Sequence, residues 1–401
     1  MAMAFARSPS SATPEMPARR FARLEQPLRL YRGGVIEQPV VAYESWGRLN
    51  DARDNTVLLF TGLSPSAHAA SSPADPKPGW WESMIGTGKP IDTNRYFVVC
   101  VNSLGSPYGS SSPASIDPRS ARPYGIHFPE LSVEDIATAG REALRTLGIE
   151  RVAAVIGPSL GGMTALAYCA LFPGEVDDLV TISGAARANP FAIALRSLQR
   201  EMVRSDPAWR GGNYEPGRGP RLGLRLARKL GTITYRSAEE WNQRFARRRV
   251  PDTAGIAGDF RPQFEVEAYL EHQAQRFADL FDANAYLYLS RAMDQFDLAE
   301  HGEGSLAAAF ARFKVRRALV IGVETDMLFP VDQQREIADH LRAASHARVE
   351  YHAFPSLQGH DAFLVDLGRF EPALGEFLKG TGDREKGTGD RGQGTVGTQQ
   401  P

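Results

Sequence analysis

The chain has 401 residues, 42% of them hydrophobic and 23% charged, with 46 Lys+Arg against 47 Asp+Glu. It is long enough to bury a sizeable core, and no run approaches the roughly 20 apolar residues needed to span a bilayer, so no membrane partner is expected. A net charge of −1 removes the generic electrostatic case for nucleic acid, which needs a basic face. Only Cys100 and Cys169 occur, which excludes a disulfide scaffold and points to buried thiols in a reduced, cytoplasmic compartment.

Residues 1–24 lack the continuous apolar core of a secretory signal and read as a disordered tail. Their Arg and Ser content, with no acid before Glu15, leaves a transit peptide as the alternative. Residues 25–184 read as the first part of a catalytic core, with short apolar runs at 56–60, 96–101, 152–156 and 179–182. Runs of this length without alternation suit strands buried on both faces, as in a parallel sheet. Residues 132–147 read as a helix, with Ser132 and Asp135 as a variant capping box and Gly148 just past its end.

From 185 to 311 the character changes. Arg-rich amphipathic stretches at 192–204 and 222–230, then 264–281, look helical and no strand run interrupts them. This section reads as a helical lid inserted over the C-terminal edge of the sheet. Residues 312–379 resume the strand pattern at 317–321 and 349–354 and form the second part of the core. Residues 380–401 repeat Gly-Thr-Gly-Asp-Arg with almost no apolar content and read as a second disordered tail. The expected class is α/β: a mostly parallel central sheet of the α/β-hydrolase type with an inserted helical lid.

The sharpest chemical signal is Gly157-Pro158-Ser159-Leu160-Gly161, directly after an apolar strand and before a small-residue helix. G-x-S-x-G in that context is a nucleophile elbow, a tight turn that lifts a serine hydroxyl clear of the sheet. Serine needs a base and an acid to become nucleophilic. Asp326 and His360 follow in the required order, each just past the end of a strand. Glu324 is the rival acid. The other histidines lack this setting and read as surface or packing residues, with His68 kept in view because it lies near a loop of the site. No histidine pair has metal-ligand spacing, so no metal is expected. An oxyanion hole is expected from the N–H of Leu63, with Gly62 as the alternative, together with that of Leu160.

Together, Gly157-x-Ser-x-Gly-Gly-Met163, Thr-Asp326-x-Leu-Phe-Pro330 and Gly-His360-Asp-Ala-Phe-Leu364 resemble the homoserine O-acyltransferase family. Gly79-Trp-Trp-Glu82, Asn102-Ser-Leu-Gly105, Thr234-Tyr-Arg-Ser237 and Tyr288-Leu-Ser-Arg-Ala-Met-Asp294 extend the similarity across about residues 25–379. Pro158 and Leu160 depart from the Gly or Asn and the Met that the family often carries there. Leu for Met keeps the backbone donor and a similar volume.

Within the family, Gly62-Leu-Ser-Pro65 and the stretch from Phe191 to Arg200 resemble the serine O-succinyltransferase branch. The resemblance implies succinyl transfer from succinyl-CoA, as co-substrate without a permanently bound cofactor, to L-serine in cysteine biosynthesis. It implies Arg228 for the acceptor carboxylate, Asp361 for its ammonium, and Tyr235 in the same pocket. It further implies Gly62, Leu63, Ser64 and Pro65 for acceptor choice, Arg196 for acyl-CoA choice, and a homodimer through the lid helices. Homoserine O-succinyl- or O-acetyltransfer, and simple ester or thioester hydrolysis, stay open as alternatives.

Overall fold

Eight strands make one sheet: β1 (Arg20–Arg23), β2 (Val40–Trp46), β3 (Thr56–Phe60), β4 (Phe97–Val101), β5 (Val152–Pro158), β6 (Val176–Ile182), β7 (Arg317–Val323) and β8 (Arg348–Phe354). Their spatial order is β1-β2-β4-β3-β5-β6-β7-β8. Only β2 runs against its neighbours; every other pairing is parallel. The computed structural model describes residues 16–251, 262–344 and 347–380.

The unalternating apolar runs have a direct cause. Leu58, Phe60, Val99, Val101 and Val155 face one buried layer, while Val57, Leu59, Val98, Cys100 and Ile156 face the other. Successive side chains point to opposite faces, so a strand covered on both sides is apolar at every position. Both cysteines are free and buried.

Helix α1 (Val133–Thr146) starts on the expected cap: Ser132 Oγ accepts from Asp135 N–H at 3.2 Å, and Asp135 Oδ2 accepts from Ser132 N–H at 2.8 Å. Helix α2 (Leu160–Leu171) leaves the end of β5 and is buried along nearly its whole length. Between β6 and β7 lie α3 (Pro190–Ser205), α4 (Arg221–Thr234), α5 (Ala238–Phe245), α6 (Glu265–Leu280), α7 (Ala283–Gln295) and α8 (Leu306–Ala311). In this section α4 packs on both α3 and α6, and α3 packs on α7. Helices α9 (Val331–Ala344), α10 (Ala362–Val365) and α11 (Leu367–Lys379) complete the second part of the core.

Two boundaries differ from the sequence reading. Residues 20–23, expected in a tail, pair with β2 from Arg20↔Tyr43 to Arg23↔Val40. The pairing makes residues 20–23 the edge strand beside β2, and Ala22 is 3% exposed. At the far end of the expected lid, α8 packs on α9, and the turn Leu298–Gly302 packs on α2. That stretch belongs to the layer flanking the sheet. The remainder of the expected N-terminal tail, residues 1–15, and residues 381–401 of the C-terminal one lie outside the described residues. No described helix is long and apolar enough to cross a membrane.

Candidate active site

The turn from β5 into α2 is shaped by contacts that leave no room for side chains. A Cβ on Gly157 would lie 2.0 Å from Gly161 O, and one on Gly161 would lie 2.4 Å from Phe60 O. Ser159 between them adopts φ +58°, a left-handed conformation that non-glycine residues rarely take. Such strain persists where the surroundings enforce it. Here Ser159 N–H donates to Ile182 O at 2.8 Å, and Ser159 O accepts from Gly162 and Met163 N–H at 2.9 and 3.1 Å.

His360 and Asp326 come to Ser159 from the loops after β8 and β7. His360 Nε2 is 2.8 Å from Ser159 Oγ, and His360 Nδ1 is 2.7 Å from Asp326 Oδ2. The other oxygen, Asp326 Oδ1, accepts the N–H groups of Leu328 and Phe329, both at 2.9 Å. Asp326, His360 and Ser159 are 3%, 6% and 7% exposed, so the relay is shielded from bulk water. Phe329 stacks on the imidazole at 5.0 Å and Phe363 meets it edge-on at 5.7 Å. Burial opposes a charged imidazole, but the Asp326 charge and hydrogen bond outweigh it, with Asp361 adding to them. The result is a His360 pKa above the ordinary value. Glu324, the rival acid, is exposed, with its N–H bonded to Phe354 O at 3.1 Å.

The loop after β3 lies against the elbow: a Cβ on Gly62 would be 3.9 Å from Pro158 O. Among the described residues, the N–H groups of Leu63 and Leu160 have no hydrogen-bond partner. Leu160 opens α2, where the helix supplies no acceptor, so both donors remain available to an anion. Asn102 braces this loop, accepting from Ala67 N–H at 2.6 Å and donating to Tyr108 O at 3.0 Å. The fully buried Trp81 donates to Phe363 O at 2.8 Å and fixes the segment that follows His360. These two contacts give physical roles to the Asn102 and Trp81 motifs. His68 is taken up elsewhere: its Nδ1 meets buried Glu44 at 2.9 Å and its Nε2 meets Lys77 O at 2.8 Å.

A strained serine with a buried His–Asp relay and two open backbone donors can form and break an acyl-ester bond. A family model described as alpha/beta hydrolase fold matches residues 55–366. The chain is 60% identical over 355 residues to a serine O-succinyltransferase from Litchfieldella anticariensis, covering 88% of this chain and 96% of that one. It is 55% identical over 359 residues to an L-serine/homoserine O-acetyltransferase from Streptomyces lavendulae, covering 89% and 96%. The crystal structure of homoserine O-acetyltransferase from Bacillus anthracis superposes with a TM-score of 0.81 at 27% identity, covering 90% of this chain and 98% of that one. The chain belongs to the homoserine O-acyltransferase family.

Tyr235 and Arg228, which the family resemblance singles out, lie next to this centre. Tyr235 closes α4 with its ring 6.1 Å from that of His360. The Arg228 guanidinium carbon lies 5.2 Å from the Tyr235 ring and 4.6 Å from that of Phe277, so Arg228 sits one aromatic ring away from the histidine. Its Nη1 donates to Ser64 Oγ at 2.9 Å, which ties α4 to the Gly62–Pro65 loop, and its buried Nε has no partner among the described residues.

Asp361, which the resemblance gives to the acceptor's ammonium, already has a cation beside it: its Oδ2 accepts from Arg236 Nε at 2.9 Å. Arg236 also reaches Gln358 and Glu240, so it clamps the histidine loop from the α4–α5 junction. Arg196 lies on α3, ion-paired with Asp294 of α7. Neither Arg236 nor Asp294 was singled out as a site residue from sequence, because each acts through a partner about a hundred positions away.

Proposed function

We propose that the protein transfers a succinyl group from succinyl-CoA to the hydroxyl of L-serine through an acyl-enzyme on Ser159. The observation that carries this reading is the activated Ser159 together with an arginine, Arg228, one aromatic ring from its histidine, that no carboxylate among the described residues neutralises. A hydrolase has no use for such an anchor; an amino-acid acceptor brings a carboxylate that fits it bidentately. The name of the Litchfieldella anticariensis relative supports the same donor and acceptor.

His360 Nε2 takes the Ser159 proton as Oγ attacks the thioester carbonyl. The oxyanion is held by the N–H groups of Leu63 and Leu160, the C–S bond breaks, and the CoA sulfur leaves with the proton from His360. L-serine then binds, its carboxylate on Arg228 and its ammonium at Asp361, with Tyr235 against it. His360 removes the hydroxyl proton, the new ester forms, and Ser159 regains its proton. Water must be excluded while the acyl-enzyme waits, a task that fits the helical section above the sheet. Arg196 meets the terminal carboxylate of the succinyl group in this scheme.

The test is intact-protein mass after mixing with succinyl-CoA alone. A gain of one succinyl group on Ser159, discharged by L-serine as O-succinyl-L-serine, supports the scheme. Discharge at the same rate by water overturns it. Arg228→Lys is expected to raise KM for serine about tenfold, ~1.4 kcal/mol, because a point charge cannot replace the bidentate fork. Acyl-enzyme formation in that variant is expected to fall much less, and equal loss in both half-reactions would contradict the anchor role.

The reading extends to a cytoplasmic homodimer joined through the inserted helices. Leu222, Leu226 and Ile233 on α4 and Leu198 on α3 are large apolar side chains left exposed, which supports contact with a second copy. Sedimentation velocity at micromolar concentration is expected to give a dimer, and a monomer would count against it.

A further inference from the structure

Two arginines share a single buried carboxylate between α3 and α7. Arg196 and Arg200, one helical turn apart, both reach Asp294: Arg196 through Nε to Oδ1, and Arg200 Nη1 at 2.6 Å from Oδ2. Their side chains are 8%, 19% and 8% exposed in the order Arg196, Arg200, Asp294. An isolated Arg196–Asp294 pair would be neutral and would attract no anion. The triad instead carries one surplus positive charge where water is scarce, which is costly unless an anion completes it.

The α3 turn that carries the triad lies beside the reaction centre: a Cβ on Gly231 would lie 3.0 Å from Gln199 Nε2 and 3.2 Å from the Tyr235 hydroxyl, and the Tyr235 ring is 6.1 Å from that of His360. Among the described residues no hydrogen bond engages the two terminal nitrogens of Arg196. Arg228 carries the second unneutralised charge. Two surplus cations match in number the two carboxylates that meet when a dicarboxylic acyl-enzyme receives an amino acid.

We propose that Arg200, by neutralising Asp294, leaves the terminal nitrogens of Arg196 to bind the terminal carboxylate of a dicarboxylic acyl donor, making Arg200 a positioning residue for donor choice. This rests on the donor reading above and deepens it.

The test is kcat/KM with succinyl-CoA and with acetyl-CoA at fixed serine, expressed as a ratio of the two. Arg200→Gln is expected to lower the succinyl-to-acetyl ratio about tenfold or more, since a charge-assisted contact to the substrate is weakened. Arg200→Lys, which keeps the charge, is expected to hold the ratio within about threefold. Arg200→Met retains the apolar stem and gives the same reading if the Gln variant does not fold. Equal loss with both donors would reduce Arg200 to a structural role and overturn the proposal. Arg196→Gln separates the two levels: an unchanged ratio there contradicts the donor reading itself, whatever Arg200 does.

Discussion

Ser159→Ala is expected to reduce acyl transfer by about four orders of magnitude or more, with the protein folded and its thermal unfolding little changed. Oγ is the only heavy atom lost. The strained turn is set by Gly157, Gly161 and the Ser159 backbone bonds, none of which involves Oγ. The variant thus keeps the donors of the oxyanion site and the residues for substrate, but no acyl-enzyme can form. Succinyl-CoA mixed with it is expected to leave the protein mass unchanged. Retention of a tenth of the activity or more would mean direct transfer between bound substrates.

The second large effect is expected from Asp326→Asn, about 10³- to 10⁴-fold in kcat. The two oxygens of Asp326 have different tasks. Oδ1 accepts two backbone N–H groups, so an asparagine would place its carbonyl oxygen there. Its NH2 group would then face His360 Nδ1 and donate to it. The imidazole proton would move to Nε2, and the nitrogen 2.8 Å from Ser159 Oγ could no longer accept a proton. The pH profile supplies a second reading. His360 has a raised pKa that Asp326 is the main group to raise, and it acts as a base only when neutral. Wild-type activity therefore climbs as pH rises through that pKa, and the residual activity of Asp326→Asn is expected to climb at lower pH. A profile unmoved by the substitution would contradict this assignment.

The triad was legible because each member is announced locally. Ser159 stands in a glycine-framed turn after a continuous apolar strand, and Asp326 and His360 follow strand ends in the required order. The parallel strands were legible for the same reason, since burial on both faces leaves an apolar run. The first two strands were not. Strand β1 is a four-residue edge whose only cue is its partner. Strand β2 carries Glu44 at its centre, 1% exposed, which reads as a surface residue until His68, 24 positions later, is found against it. Side-chain pairs across the fold escaped for the same physical reason. Arg236–Asp361 and Arg196–Asp294 join elements 125 and 98 positions apart, and no local pattern marks which of many arginines finds which acid. The near-zero net charge concealed them as well, because a sum over the chain does not say which charges meet.

The central claim is that an acyl group passes from succinyl-CoA to serine. The most direct measurement is free-thiol release from succinyl-CoA and from acetyl-CoA, each with L-serine, with L-homoserine, or with no acceptor. The expected result is release fastest with succinyl-CoA and L-serine together, and little release when the acceptor is left out. Release independent of acceptor, or faster with homoserine or acetyl-CoA, would contradict the account.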